Sequence, residues 1–372
     1  MSSGTGDGDG TAGRGPGTPP DVTVVTVTYD AADLVGACLD GLAGQRLGKR
    51  TMDVVVVDNA SSDGTADLVA DRHPDVRLVR SPVNRGFAGG NNLALRALTS
   101  RYVVLLNNDA VPEPGFVAAL VDAMDAADPG VAGLTATVLL TGRFRPATAD
   151  DPDGARVTGP EGTWVRDPDG PVTLVNSTGN VVRRDGYGAD RGWLADAARH
   201  HPPRAVFGFC GAAAVLRTSA LRDVGLFDED FFLYYEDSDL SWRLRLGGYR
   251  IEHCPDAVVH HVHAASTGEG SALFRFHDGR NRLLMLTKDA RASLAVRAVG
   301  RYVLTTASIA VRRSQPRDHV VLRVRVLASY ARLLPRMLRR RRAIGRAARA
   351  GRGDVERLLV EVPRTAIGGY RT

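Results

Sequence analysis

Three groups of polar side chains stand directly behind apolar runs in this 372-residue sequence, and their types suit phosphate, ribose and cation chemistry. "VVVVDNASSDGT" (54–65) ends four valines in Asp58, Asn59, Ser61, Ser62 and Asp63. "YVVLLNND" (102–109) ends in Asn107, Asn108 and Asp109, and "LYYEDSDL" (233–240) sets Glu236, Asp237 and Asp239 behind the aromatic run 231–235. Two amides and a carboxylate can hold a hard divalent cation already chelated by phosphates; a single Asp there also serves as a turn residue. A carboxylate beside aromatic rings at a helix start is partly desolvated and can act as a general base. Ser238 and Asp239 read instead as caps of that helix, while Ser61, Ser62 and Asp63 either face a ligand or cap the helix after them.

"NRGFAGGNN" (84–92) lets backbone N–H groups approach an anion at a helix start, but it lacks the Lys-Ser/Thr pair of a Walker loop and the dinucleotide spacing. In "VVHHVHAAS" (258–266) strand alternation places His261 and His263 on one face, where paired imidazoles and a distant Asp complete a metal site.

These groups need elements to position them. Strands are predicted at 22–29, 52–58, 76–81 and 101–109, and the segments between them read as helices; Leu34, Cys38, Leu39 and Leu42 stand at helical spacing. Strands alternating with helices, with runs too apolar to have a wet face, imply a mostly parallel sheet covered on both sides. In such a sheet ligands bind beyond the carboxyl ends of the strands, where every polar group above falls.

The chain is long enough for about two domains at ~150 residues each. Residues 1–20 have almost nothing to bury and read as a disordered tail without the layout of a signal peptide. Cys38, Cys210 and Cys254 lack metal-ligand spacing, which points to core positions and a reducing, cytoplasmic setting. From Arg291 to Arg352 there are 17 arginines and one acid, Asp318, while the whole chain carries only +6, so an acidic body precedes a basic end.

In their order along the chain, "VTVVTVTYD", "VVVVDNASSDGT", "NRGFAGGNN", "YVVLLNNDA", the stretch 209–249 and "VVHHVHAAS" resemble the family 2 glycosyltransferases of GT-A fold. The similarity is to the bacterial rhamnosyltransferase-like branch and spans 21–290. It implies an α/β, Rossmann-like, mostly parallel sheet with helices on both faces, a nucleotide-sugar donor and a metal-dependent inverting displacement. By that resemblance Thr28, Tyr29 and Asp58 contact base and ribose, and Asn84, Gly86 and Phe87 close over the nucleotide. Asp109 becomes the ligand of Mg²⁺ or Mn²⁺, with Asn107 or Asn108 beside the ribose or phosphate. Asn107 replaces the Asp of the two-carboxylate form, so the ion is expected to arrive with the diphosphate. Asp237 is the expected base ahead of Glu236, and His261 is a metal or diphosphate ligand with His263 as its competitor.

The resulting organisation is a donor half at 21–140, a hairpin-rich insertion over the site at 141–200, an acceptor half at 201–290 and a basic helical region at 291–372. The apolar run 302–311 is too short to span a bilayer, but a basic amphipathic segment can lie on an anionic one. A bundle packed on the catalytic domain is the other reading of that region. Nucleic-acid binding ranks low because no stacking platform accompanies the arginines. The expected activity is transfer of rhamnose from dTDP-rhamnose to a lipid-linked or polysaccharide acceptor at the inner membrane face. The alternatives are a UDP-sugar donor such as UDP-galactofuranose, or a nucleotide-sugar-binding protein without turnover.

Overall fold

Nine strands form one central sheet in the computed structural model, which describes residues 19–159, 161–262 and 271–361. Nearly all of the N-terminal tail, His263 and Ser266 lie outside the described residues. β1 (Val22–Thr28), β2 (Met52–Asp58), β3 (Arg77–Arg80) and β4 (Tyr102–Leu106) pair in parallel in the order β3-β2-β1-β4. β5 (Ala110–Pro112) and β6 (Val131–Leu140) follow β4 in the chain. The insertion then supplies β7 (Phe144–Pro146), β8 (Arg156–Gly159) and β9 (Gly162–Arg166) as a separate three-stranded sheet, β10 (Val175–Ser177), and the hairpin of β11 (Asn180–Val182) and β12 (Gly188–Asp190). β13 (Ala213–Arg217) runs antiparallel between β4 and β6, and β14 (Arg250–His261) runs parallel to β6 and antiparallel to β5.

Period-two alternation explains why both faces are covered. Val22 and Val24 of β1 enter one core and Val25 the other; Tyr102, Val104 and Leu106 of β4 part from Val103 and Leu105 in the same way. α1 (Ala32–Ala43), α2 (Thr65–Arg72) and α4 (Phe116–Ala126) close the first core, while α3 (Gly86–Leu95), α5 (Thr218–Val224) and α6 (Glu236–Leu246) close the second. Val35, Cys38, Leu39 and Leu42 form the buried stripe of α1, and burial of each aliphatic side chain contributes roughly 1.5–3 kcal/mol. Leu34, expected on that stripe, is only half-buried.

α7 (Ala272–Asp289), α8 (Ala292–Arg312), α9 (Arg317–Ala347) and α10 (Arg352–Glu356) build a third core against Phe207, Phe231, Tyr235 and Trp242. The basic region is thus packed on the catalytic domain. α8 corrects one expectation: it is 21 residues, long and apolar enough by length and composition to cross a bilayer. Counting only the unbroken apolar run missed this, because the helix continues through Arg297 and Arg301. One face of α8 buries Leu294, Ala298 and Tyr302, and the other exposes Val296, Val303, Leu304 and Val311.

Candidate active site

A crevice of about 420 Å³ opens at the carboxyl ends of β1 and β4. Thr28, Tyr29, Asn84, Gly86, Phe87, Asn107, Asn108, Asp109, Glu236, Asp237 and His261, eleven of the twelve positions expected from the sequence, line it together. Asp58 does not line it: it sits level with Thr28 in the register, buried at the tip of β2, with its Oδ1 lacking a hydrogen-bond partner among the described residues.

Asn59, next to Asp58, organises the Gly-rich turn. Its Nδ2 donates to Asn84 Oδ1 at 3.0 Å and to the Gly86 carbonyl at 3.1 Å, and its Oδ1 accepts from Arg85 N at 2.9 Å. Gly86 has φ +65°, and a Cβ there would stand 2.2 Å from the Phe232 carbonyl oxygen, so only glycine fits. Asp63 takes the expected capping role, its Oδ1 accepting from Thr65 N at 3.0 Å at the start of α2, and it also reaches α1 together with Ser61. Ser61 Oγ accepts from Asp30 N at 3.0 Å and Asp63 Oδ2 from Ala32 N at 3.0 Å, so they brace the start of α1.

Strand register brings the far-separated ligand types together. His261 pairs with Ala110, the residue after Asp109, and its Nε2 stands 3.0 Å from Asp109 Oδ1. Its Nδ1 is 2.6 Å from Asn176 Oδ1, an acceptor that draws the ring proton to that side and turns the Nε2 lone pair toward Asp109. Asn107 Nδ2 lies 3.4 Å from the same Nε2, and Asn108 Nδ2 donates to Thr28 Oγ1 at 3.2 Å. A carboxylate and an imidazole nitrogen facing one another fit a hard divalent cation. Among the described residues no cluster of three or more His, Cys, Asp or Glu would hold a metal unaided. Nor does any lysine or arginine line the crevice among them.

Asp237 lies in the first turn of α6, whose start is forced by Tyr235 at φ +67°. The helix begins two residues before the expected caps: Asp239 is instead buried and paired with Arg243 Nε at 2.9 Å and with Lys288. Asp237 Oδ2 accepts from Asn180 Nδ2 at 2.7 Å and Gly211 N at 3.1 Å, and Oδ1 accepts from Ser238 N at 2.6 Å. Burial pushes its pKa above the ordinary carboxylate range, and these hydrogen bonds moderate the rise. Glu236 is 6 % exposed with Oε2 unsatisfied among the described residues; burial, then the neighbouring Asp237 charge, push it well above that range. Burial therefore raises both adjacent carboxyls, Glu236 more strongly than Asp237, whose hydrogen bonds offset part of the effect.

Sequence reasoning missed Asn59 as a brace, and it missed Asn176, Asn180, Asp190 and Asp278, all four of which line the crevice. "NSTGN" (176–180) carried a signal, two amides around a tight turn, but the insertion had no periodicity to aim them. Cys210 also lines the crevice, whereas Cys38 and Cys254 are buried.

A strand-end crevice with a cation-type pair on one set of strands and a pinned carboxylate on a helix start defines a glycosyltransferase of GT-A fold that uses a nucleotide-sugar donor. The profile described as "Glycosyl transferase family 2" matches residues 23–162, and "Glycosyl transferase family group 2" matches 183–282. The chain belongs to the family 2 glycosyltransferases. It is 28 % identical over 270 residues to the N-acetylglucosaminyl-diphospho-decaprenol L-rhamnosyltransferase of Mycobacterium tuberculosis, covering 67 % of this chain and 78 % of that one. It is also 28 % identical over 262 residues to the pre-mycofactocin glycosyltransferase of the same organism, covering 70 % of this chain and 46 % of that one. The crystal structure of GalNAc-T7 with UDP, GalNAc and Mn²⁺ shares the fold, with a TM-score of 0.54 at 11 % identity over 83 % of this chain and 55 % of that one.

Proposed function

We propose that this enzyme transfers rhamnose from dTDP-rhamnose, with inversion, to a lipid-linked or cell-wall polysaccharide acceptor. The observation that carries the reading is the crevice itself: Asp237 is held ready by Asn180 and Gly211, and among the described residues no lysine or arginine lines the cavity to meet a diphosphate. Asp109 and His261 would hold Mg²⁺ or Mn²⁺, which supplies charge neutralisation for the departing nucleotide diphosphate when bound. Asn107 and Asn108 orient donor oxygens beside that pair, and Thr28 and Tyr29 bracket the nucleoside at the end of β1. Asn84, Gly86 and Phe87 form the wall over the nucleotide.

Asp237 removes the proton of the acceptor hydroxyl as that oxygen attacks the anomeric carbon from the face opposite the leaving diphosphate. Its raised pKa strengthens it as a base, and its hydrogen bonds from Asn180, Gly211 and Ser238 favour the carboxylate form, whereas burial pushes Glu236 up further. The rhamnosyl donor is favoured by likeness to the mycobacterial rhamnosyltransferase. The exposed stripe of Val296, Val303, Leu304 and Val311, flanked by Arg297, Arg301 and Arg312, suits peripheral attachment to the anionic inner leaflet that presents such acceptors.

Calorimetry with dTDP-rhamnose, UDP-galactofuranose, UDP-galactose, UDP-glucose, UDP-N-acetylglucosamine and GDP-mannose, each with and without Mn²⁺, tests the donor. Mn²⁺-dependent binding of dTDP-rhamnose is expected; preference for a UDP-sugar would replace it. Asp237→Ala should lower turnover about 10²–10⁴-fold with donor affinity retained. Unchanged turnover would defeat the proposed base.

A further inference from the structure

Beyond the strand-end residues, the same crevice is lined by Asp190, Tyr234, Leu273, Phe274 and Asp278, to which the sequence assigned no role. Their placement is built, not incidental. α7 begins behind Ser271, whose Oγ accepts from Phe274 N at 3.1 Å, and Phe274 and Asp278 are four residues apart on one face of that helix. The Phe274 ring meets the Tyr234 ring edge-on at 4.9 Å.

Tyr234 is held at φ +69°, a costly conformation for an aromatic residue. The fully buried Asn281, one turn beyond Asp278, holds it there: its Nδ2 donates to the carbonyls of Phe231, Leu233 and Tyr234, each at 2.8 Å. Strain is thus retained where the chain faces the crevice. Asp278 accepts no hydrogen bond among the described residues, and burial, offset in part by Arg282, raises its carboxyl to about 6. Its carboxylate is half-buried and faces the crevice, so a ligand there can supply the donor that it lacks. That ligand must bring hydroxyl donors and an apolar face together, and it must not be a phosphate, since Asp190, Asp237 and Asp278 would repel it. A pyranose ring meets all three conditions.

We propose that Tyr234, Phe274 and Asp278 form a saccharide subsite that receives the terminal pyranose of the acceptor, its hydroxyls donating to Asp278 and its C–H face packing against the edge-on Tyr234–Phe274 pair. This rests on the glycosyltransferase reading above and names the part of the acceptor that the site recognises. The subsite places the C-terminal helical layer in substrate recognition, because α7 belongs to the same core as α8 and α9.

The test is saturation-transfer NMR on the whole nucleotide-loaded protein with the methyl pyranosides of N-acetylglucosamine, glucose, galactose, mannose and rhamnose. Asp278→Asn and Phe274→Ala serve as variants, and calorimetric nucleotide affinity is measured on each. At least one pyranoside should bind the unmodified protein, and each variant should weaken it about tenfold, the loss of one good contact, with nucleotide affinity unmoved. Absence of binding by all five sugars, binding unchanged in both variants, or equal loss of sugar and nucleotide would overturn the subsite. Failure of every nucleotide sugar to bind would instead overturn the donor reading, and pyranoside binding sensitive to Asp278→Asn would still stand.

Discussion

Asn180 Nδ2 lies 2.7 Å from Asp237 Oδ2, joining the first residue of a hairpin in the insertion to a carboxylate 57 positions later at the start of α6. Together with Gly211 N and Ser238 N, this donor favours the ionised carboxylate against a burial that disfavours it. The insertion therefore does more than cover the crevice.

Removing that donor should make Asp237 harder to ionise. Asn180→Ala is expected to move the acid limb of the kcat–pH profile upward, by about one unit, because one pKa unit matches the ~1.4 kcal/mol of a typical hydrogen bond to a charged group. A profile superimposable on that of the unmodified enzyme would show that Asn180 leaves the base untouched.

On the proposed reading, the facing pair of Asp109 and His261 holds the cation that donor binding requires. Asp109→Ala and His261→Ala should each reduce Mn²⁺-supported nucleotide-sugar affinity, and Asn176→Ala, acting through the imidazole proton, should cost 10–100-fold or less, as outer partners of ligands do. Titration calorimetry with and without EDTA reads this directly. Equal affinity in EDTA for the unmodified enzyme would remove the pair from the cation's coordination.

Lys288 is 1 % exposed, donates to Asp228 Oδ2 at 2.6 Å and pairs with Asp239, while Arg340 of α9 meets Asp228 and Asp230 at 2.6 Å. Lys288→Met breaks a buried ion network and should destabilise the fold by about 3–5 kcal/mol, measured by urea denaturation. It should also lower kcat, because the stretch from Asp228 to Tyr235 leads directly into Asp237. A loss of under ~1 kcal/mol would show that the arginines carry these carboxylates alone.

Two histidines outside the crevice predict acid sensitivity. His253 and His277 are pushed down to about 4, first by burial and then by neighbouring arginines. Their folded pKa values lie below the unfolded ~6.5, so the unfolded chain binds more protons between those values and stability falls as pH drops from about 6.5 to 4. Thermal denaturation across that window should show a fall that His253→Gln and His277→Gln each lessen. Flat stability across the range would contradict the burial argument.

The donor half was legible because its signals are local. β1, β2 and β4 are β-branched runs that no wet-faced strand would carry, and the polar residues at their tips fall at the ligand edge by topology alone. Local chemistry misled where a polar residue had two possible partners. Ser61 braces the start of the neighbouring helix through Asp30 N, and Asp239 is a buried ion-pair member, because the αL turn at Tyr235 starts α6 earlier than Ser238 would.

Sequence alone determined the strand-helix alternation, the crevice edge and the residue types available there, since these follow from periodicity and chain order. Only the tertiary structure decided that His261 faces Asp109, that Asn180 grips Asp237 and that Asp278 enters the crevice from α7. Each of these meetings depends on sheet register or helix packing between segments far apart in the chain, and no local pattern of side chains encodes a distance across a fold.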